Sequence, residues 1–274
     1  MHPIGNLFCS TIGRKFLMAL TGLVLVGFVI GHLVGNLQVF EDPDRINGYA
    51  HFLQSLGPTL WLARIGLLVA VGIHIWAATV LSLESLKARG GVNYKKNKWL
   101  KATIASRYMR WTGYIVLAFI IYHLAQFTVG SVGTANFKTN LAPWTMTSDY
   151  HVFGLTVVRA GTQVLDVHSM VIHSFQSPLV SLFYIVSIFL LSVHLLHGVE
   201  SLFQTFGWRN SAWSMGLRGV VTVGVILYFL GNAAIPGAVQ AGALTPHGPQ
   251  AHAALPLHPV RGGLEFADQG EAAS

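Results

Sequence analysis

Charge is scarce in this sequence. Only 10% of its 274 residues are Asp, Glu, Lys or Arg, against 53% hydrophobic, and the mean hydropathy is +0.55. A soluble domain carries about a quarter charged residues, so the deficit argues against an ordinary globular enzyme and for a membrane protein. Cysteine is nearly absent. Cys9 stands alone, which excludes an internal disulfide, and no Cys-x-x-Cys-His is present for covalent attachment of a haem. No acid falls between Lys87 and Arg110, where eight basic residues gather. The N-terminus lacks a cleavable signal with a small-residue site, so the first apolar stretch is expected to remain as a span. The net charge of +7 is distributed as a topology signal and gives no nucleic-acid surface.

What is present is five long apolar stretches, at about 16–39, 59–86, 110–131, 178–206 and 217–240. They predict an all-α membrane domain over residues 1–240, with four of the five helices forming a bundle. Residues 241–274, rich in Ala, Gly, Pro and His, read as a poorly ordered tail. Between spans, NGYAHFLQSLGP reads as a short amphipathic helix. In the 132–176 connection, GTANFKTNLAPW reads as loop and DVHSMVIHSFQSP as an interfacial helix stopped by Pro178. Gly27, Gly31 and Gly35 share one face of the first span, either for close helix packing or to leave room for a flat group. The N-terminal segment, the 87–110 loop and the 207–218 turn hold 12 of the 17 basic residues. The positive-inside rule places them in the cytoplasm, with the N-terminus inside and the C-terminus outside a bacterial inner membrane.

Four of the spans each carry a histidine in an apolar context: His32, His74, His123 and His194. Ionisable groups inside a span are costly and mark function. Helical rise orders them by depth. His32, nine residues before Glu41, and His123, about ten before its span ends, lie roughly 15 Å from the outer boundary. His74 and His194, each 16 residues after a proline (Pro58 and Pro178), lie roughly 24 Å in. Two histidines at each of two depths fit axial ligation of two b haems, His32 with His123 outside and His74 with His194 inside. Zinc, which takes about four ligands around one ion, fits poorly. His197 shares part of a helix face with His194 and is the alternative fourth ligand; the depth match favours His194.

The stretches IGHLVGN, NGYAHFLQSL, IYHL, SPLVSLFYIVSIFLLSVHLLHG and FQTFGW carry a resemblance. Over roughly residues 10–240 the chain resembles the diheme cytochrome b membrane subunit of succinate:menaquinone oxidoreductases and quinol:fumarate reductases, of the single-subunit, five-span type. In that family the fourth ligand lies four residues before a glycine, which Gly198 places at His194. The resemblance implies two b haems and a flavoprotein and an iron–sulfur subunit on the cytoplasmic face. It also implies electron transfer from succinate through the iron–sulfur subunit and both haems to menaquinone. Either physiological direction is compatible. The 132–176 loop and the tail depart from shorter family members.

Arg64 and Arg110 are candidates for haem propionates, and His197 for a propionate or quinone vicinity. Candidates for the quinone are Gln38, Glu41, Asn47, Tyr49, His51 and Gln54 near the outer layer, and Ser10 and Arg14 near the inner. Glu84 and Glu200 are expected to face water or a partner subunit. The competing readings are a cytochrome b subunit of a hydrogenase or formate dehydrogenase, and a histidine-relay transporter.

Overall fold

The computed structural model describes residues 7–88, 90 and 104–247. Five helices are long and apolar enough to cross a membrane: α1 (Thr11–Leu37), α3 (Pro58–Ala88), α4 (Ile104–Leu124), α6 (Pro178–Thr205) and α7 (Ser214–Gln240). Two shorter helices, α2 (Pro43–Ser55) and α5 (Val167–Phe175), lie between them. The chain is a predominantly helical multi-pass membrane protein with one small β-structured cap. Its outward side chains are apolar: Ile12 is 75%, Leu62 72% and Val220 72% exposed, as suits a lipid-facing surface and not water.

Helix starts follow local chemistry. Pro58 and Pro178 occupy first-turn positions, where no backbone donor is needed. Ser10 caps α1 and Ser177 caps α6 through their hydroxyl oxygens. α4 does not simply end. It continues as a π-helical turn over 125–129 and closes on Gly130 at φ +78°. A Cβ there would come within 2.5 Å of the Phe137 ring, so both conformation and space require glycine. α1 packs on α3 and α6, α4 packs on α6, and α7 covers α6 and α1.

The connection between GTANFKTNLAPW, expected as loop, and α5 contains four short strands in two antiparallel pairs. β1 (Trp144–Thr145) pairs with β4 (Gln163–Val164), and β2 (Tyr150–Val152) with β3 (Leu155–Val158). Trp144, Met146, Tyr150, Val158 and Val164 form its apolar core. Two buried residues of α2 tie this cap to the bundle. The Asp44 carboxylate accepts from Trp144 Nε1, from the backbone and hydroxyl of Thr147 and from those of Ser148. The Asn47 side-chain oxygen accepts from the backbone N–H of Val167 and of His168. It thereby supplements the Asp166 cap of α5. The helix expected over DVHSMVIHSFQSP is present as α5.

Of the expected tail, residues 241–247 turn back over the cap, with Leu244 against the core between the helices and the His247 ring 4.3 Å from that of His168 and 5.1 Å from that of Trp144. Residues 248–274 and most of the basic 87–110 loop, including Arg89, Lys95, Lys96, Lys98 and Lys101, lie outside the described residues.

His168 is 3% exposed. Burial first, then the neighbouring His247, pushes it down to about 4, while Asp166, the Val39 carbonyl and Asp42 oppose this. The unfolded cap takes up this proton near pH 6.5, the folded cap only near 4. The cap is therefore expected to be undiminished above pH 6.5 and to weaken as pH falls from 6.5 towards 4. Limited proteolysis of the 144–247 region at pH 7 and at pH 4.5 checks this. Faster cleavage at the lower pH, reduced in His168→Gln, is the expected result; equal rates in the wild type contradict it.

Candidate functional site

The four intramembrane histidines meet in two pairs. The rings of His32 (α1) and His123 (α4) have centroids 5.7 Å apart, and those of His74 (α3) and His194 (α6) 6.4 Å apart. A metal–imidazole bond of about 2 Å on each side of one ion separates facing ring centroids by roughly 6 Å, so both pairs have the spacing of a shared axial site. One cavity of about 2140 Å³ is lined by all four histidines. This is larger than the roughly 300–1,000 Å³ of a typical single-ligand site.

The nitrogens of the second pair are oriented. His74 Nδ1 lies 3.1 Å from the Met18 carbonyl and 3.3 Å from Thr21 Oγ1. A carbonyl only accepts, so Nδ1 carries the proton and Nε2 keeps its lone pair for a ligand. His194 Nδ1 lies 3.3 Å from Thr112 Oγ1, whose hydroxyl is donated to the Met109 carbonyl, so the oxygen is left to accept from the ring. In the first pair, Phe28 stacks on His32 at 5.3 Å, and Tyr184 packs edge-on to His123 with its hydroxyl donated to Gln126. Among the described residues His123 Nδ1 is buried with no partner, an orphan of the kind a bound group or water satisfies.

The residues fit haem better than a bare ion. Among the described residues no cluster of three or more His, Cys, Asp or Glu could hold a metal directly. Two imidazoles leave a tetrahedral shell half filled, whereas a porphyrin brings its own four nitrogens. Gly27 and Gly31 support the same reading. A Cβ at either would meet nothing within 4 Å, and both line the cavity, so their small size leaves space and does not serve helix contact. Gly35 differs: a Cβ there would lie 2.6 Å from the Tyr49 ring.

Cations line the cavity. Towards the cap, Arg64 sits over the Trp61 ring at 5.1 Å, and Lys138 donates to the Phe127 carbonyl at 3.2 Å. Burial, then the Arg64 charge, lowers the Lys138 ammonium below its usual range. Towards the basic end, Arg107 and Arg110 also line the cavity. Like charges drawn into an apolar space suit an anionic group between them. Lys138 is absent from the sequence-based candidates because nothing local distinguishes it in a polar loop.

The remaining candidates separate. Among the described residues His197 lines the cavity but makes no ring contact with an opposed imidazole; that contact belongs to His194. Tyr49 and Gln54 line the cavity. Gln38 is held between the Gly35 carbonyl and the Tyr150 hydroxyl, Glu41 pairs with Arg45, and Asn47 is fully buried as a cap. None of these three, nor His51, lines the cavity. Ser10 caps α1. Arg14 pairs with Glu84 and donates to the Phe8 and Cys9 carbonyls, so both are committed to structure. Glu84, expected to face water or a partner subunit, is engaged by Arg14, and Glu200 lies 3.9 Å from Arg209 and 3.7 Å from Arg218.

Comparison of the chain with protein-family models, with curated proteins and with solved structures finds no match.

Proposed function

We propose that this chain is the membrane-anchor cytochrome b subunit of a succinate dehydrogenase, conducting electrons from an iron–sulfur subunit to menaquinone. The observation that carries the reading is the pair of facing imidazole couples, 5.7 and 6.4 Å between centroids, set one above the other in a single cavity. His32 with His123 would hold the outer haem b, and His74 with His194 the inner. Bound haem iron supplies one-electron exchange between ferric and ferrous states.

The chain's own work is to hold and tune. The Met18 and Met109 carbonyls fix the ring tautomers of His74 and His194. Arg64 and Lys138 at one end, and Arg107 and Arg110 at the other, offer counter-charge for propionates. Tyr49 and Gln54 offer polar groups for the quinone where the cavity nears α2. The basic end, with Arg14, Lys15, Lys87, Arg209 and Arg218, faces the cytoplasm of a bacterial inner membrane by the positive-inside rule. It is the docking side for the iron–sulfur and flavoprotein subunits.

A reduced-minus-oxidised spectrum of the purified complex, with haem quantified and co-purifying subunits identified, tests this. Two b haems per chain and a flavin-bearing partner are expected. Absence of haem overturns the cytochrome reading. Two haems with a hydrogenase or formate dehydrogenase partner would keep the cytochrome and discard succinate.

A further inference from the structure

The two helices that carry the cap-side histidines also carry one and the same short element. α1 reads Met18-Ala19-Leu20-Thr21-Gly22 and α4 reads Met109-Arg110-Trp111-Thr112-Gly113; in each, the histidine follows ten residues after the glycine, at His32 and His123. The partner helices repeat as well. α3 opens on Pro58 and α6 on Pro178, and in each the histidine follows 16 residues later, at His74 and His194.

The contacts repeat with the spacing. Thr21 Oγ1 lies 3.3 Å from His74 Nδ1, and Thr112 Oγ1 3.3 Å from His194 Nδ1. Both threonines are buried, at 8% and 4% exposure. A Cβ on Gly22 would stand 3.4 Å from His74 Cε1, and one on Gly113 3.5 Å from His194 Cε1. Each hydroxyl spends its proton on a backbone carbonyl, Thr21 on Leu17 and Thr112 on Met109. Each oxygen is thus left to accept from the imidazole, sharing the one Nδ1–H with a backbone carbonyl, which for His74 is that of Met18 at 3.1 Å.

We propose that α1–α3 and α4–α6 are two copies of one helical unit, and that Thr21 and Thr112 are matched positioning residues. Each holds the Nδ1–H of the inner-layer histidine on its own copy's second helix. A Met-x-x-Thr-Gly segment orients the inner ring, and a histidine 11 residues beyond its threonine, roughly 16 Å along the helix, supplies the outer ring. One histidine from each copy then meets its counterpart at each layer. Beyond the outer histidines the copies diverge: α1 passes through a 3-10 turn into α2, and α4 through the π turn into the cap. The role of the threonines rests on the haem reading above; the duplication does not.

An acceptor on Nδ1–H makes the opposite nitrogen a stronger donor and favours ferric over ferrous iron. Replacing either threonine by Val is expected to raise the inner haem's midpoint potential, leave the outer haem's unchanged, and weaken inner-haem retention about tenfold. Thr→Ser at the same position should restore both. Because the copies are equivalent, Thr21→Val and Thr112→Val should shift the same haem by similar amounts. Redox titration with haem quantitation reads this. An unmoved inner potential in both Val variants, or a shift of different haems by the two, overturns the proposal. If the purified protein holds no haem, the functional reading fails separately, and nitrogen-15 NMR of labelled histidine on the same preparation still decides. His74 and His194 should both be Nδ1–H tautomers, each perturbed only by the Val substitution in its own copy. Insensitivity to the substitutions discards the positioning role.

Discussion

Replacing His32 or His123 by Ala is expected to remove one haem and spare the other, and replacing His74 or His194 to do the reverse. The expectation follows from which rings face each other, 5.7 Å apart in one pair and 6.4 Å in the other. An axial site built from two imidazoles loses half its protein bonds when one is removed, and among the described residues no cysteine or carboxylate lines the cavity. The spared haem is the internal control, because a variant that fails to fold loses both. Haem content per chain should fall from two to about one. His197→Ala should leave both haems, since its ring faces no opposed imidazole. Loss of the same haem from His32→Ala and from His74→Ala would refute the pairing, and loss of the inner haem from His197→Ala would transfer that ligand role.

Asp44→Ala should detach the cap while leaving the bundle folded. One carboxylate, 2% exposed, receives the Trp144 indole at 2.7 Å, the Thr147 hydroxyl at 2.6 Å and the Ser148 backbone and hydroxyl at 2.7 and 2.8 Å. Burial by itself raises this acid. The donors from Thr147, Trp144 and Ser148 together more than offset it and hold Asp44 below the usual carboxylate range. Its stabilisation is therefore present above about pH 4 and lost as the pH falls further. Hydrogen bonds to a charged group contribute about 1.5–3 kcal/mol each, and a buried donor left unpaired costs about 1–3 kcal/mol. A loss of at least about 3 kcal/mol, concentrated in residues 144–164, is expected. Asp44→Asn should lose less, because the amide keeps one acceptor oxygen. Proteolytic protection of that segment, followed alongside the haem spectrum, is the measurement. Unchanged protection in Asp44→Ala would show that the cap is held by its apolar core alone.

The membrane helices were legible because each is written in a contiguous run: a long apolar stretch admits few structures in lipid other than a helix. Boundaries moved by a few residues where capping groups outside the run took over, as Ser10 does for α1. The ring pairs were legible for a related reason. Helical rise is constant, so counting from Pro58 and Pro178 places His74 and His194 at one level before any packing is known. The cap was not legible. Its strands are two to four residues long, too short for an alternating pattern, and its anchor joins Asp44 to residues about a hundred positions away.

Hydropathy and helical rise are properties of continuous segments, so residue order was enough for five membrane helices and two levels of intramembrane histidine. Which polar groups serve the cavity and which serve the scaffold emerged only on folding. Asn47 became a helix cap, Arg14 an ion-pair partner, Lys138 a cavity cation and Thr21 an acceptor for His74. A polar side chain's role is set by the partner that satisfies it, and in a folded membrane protein that partner often lies on another helix or across the cap.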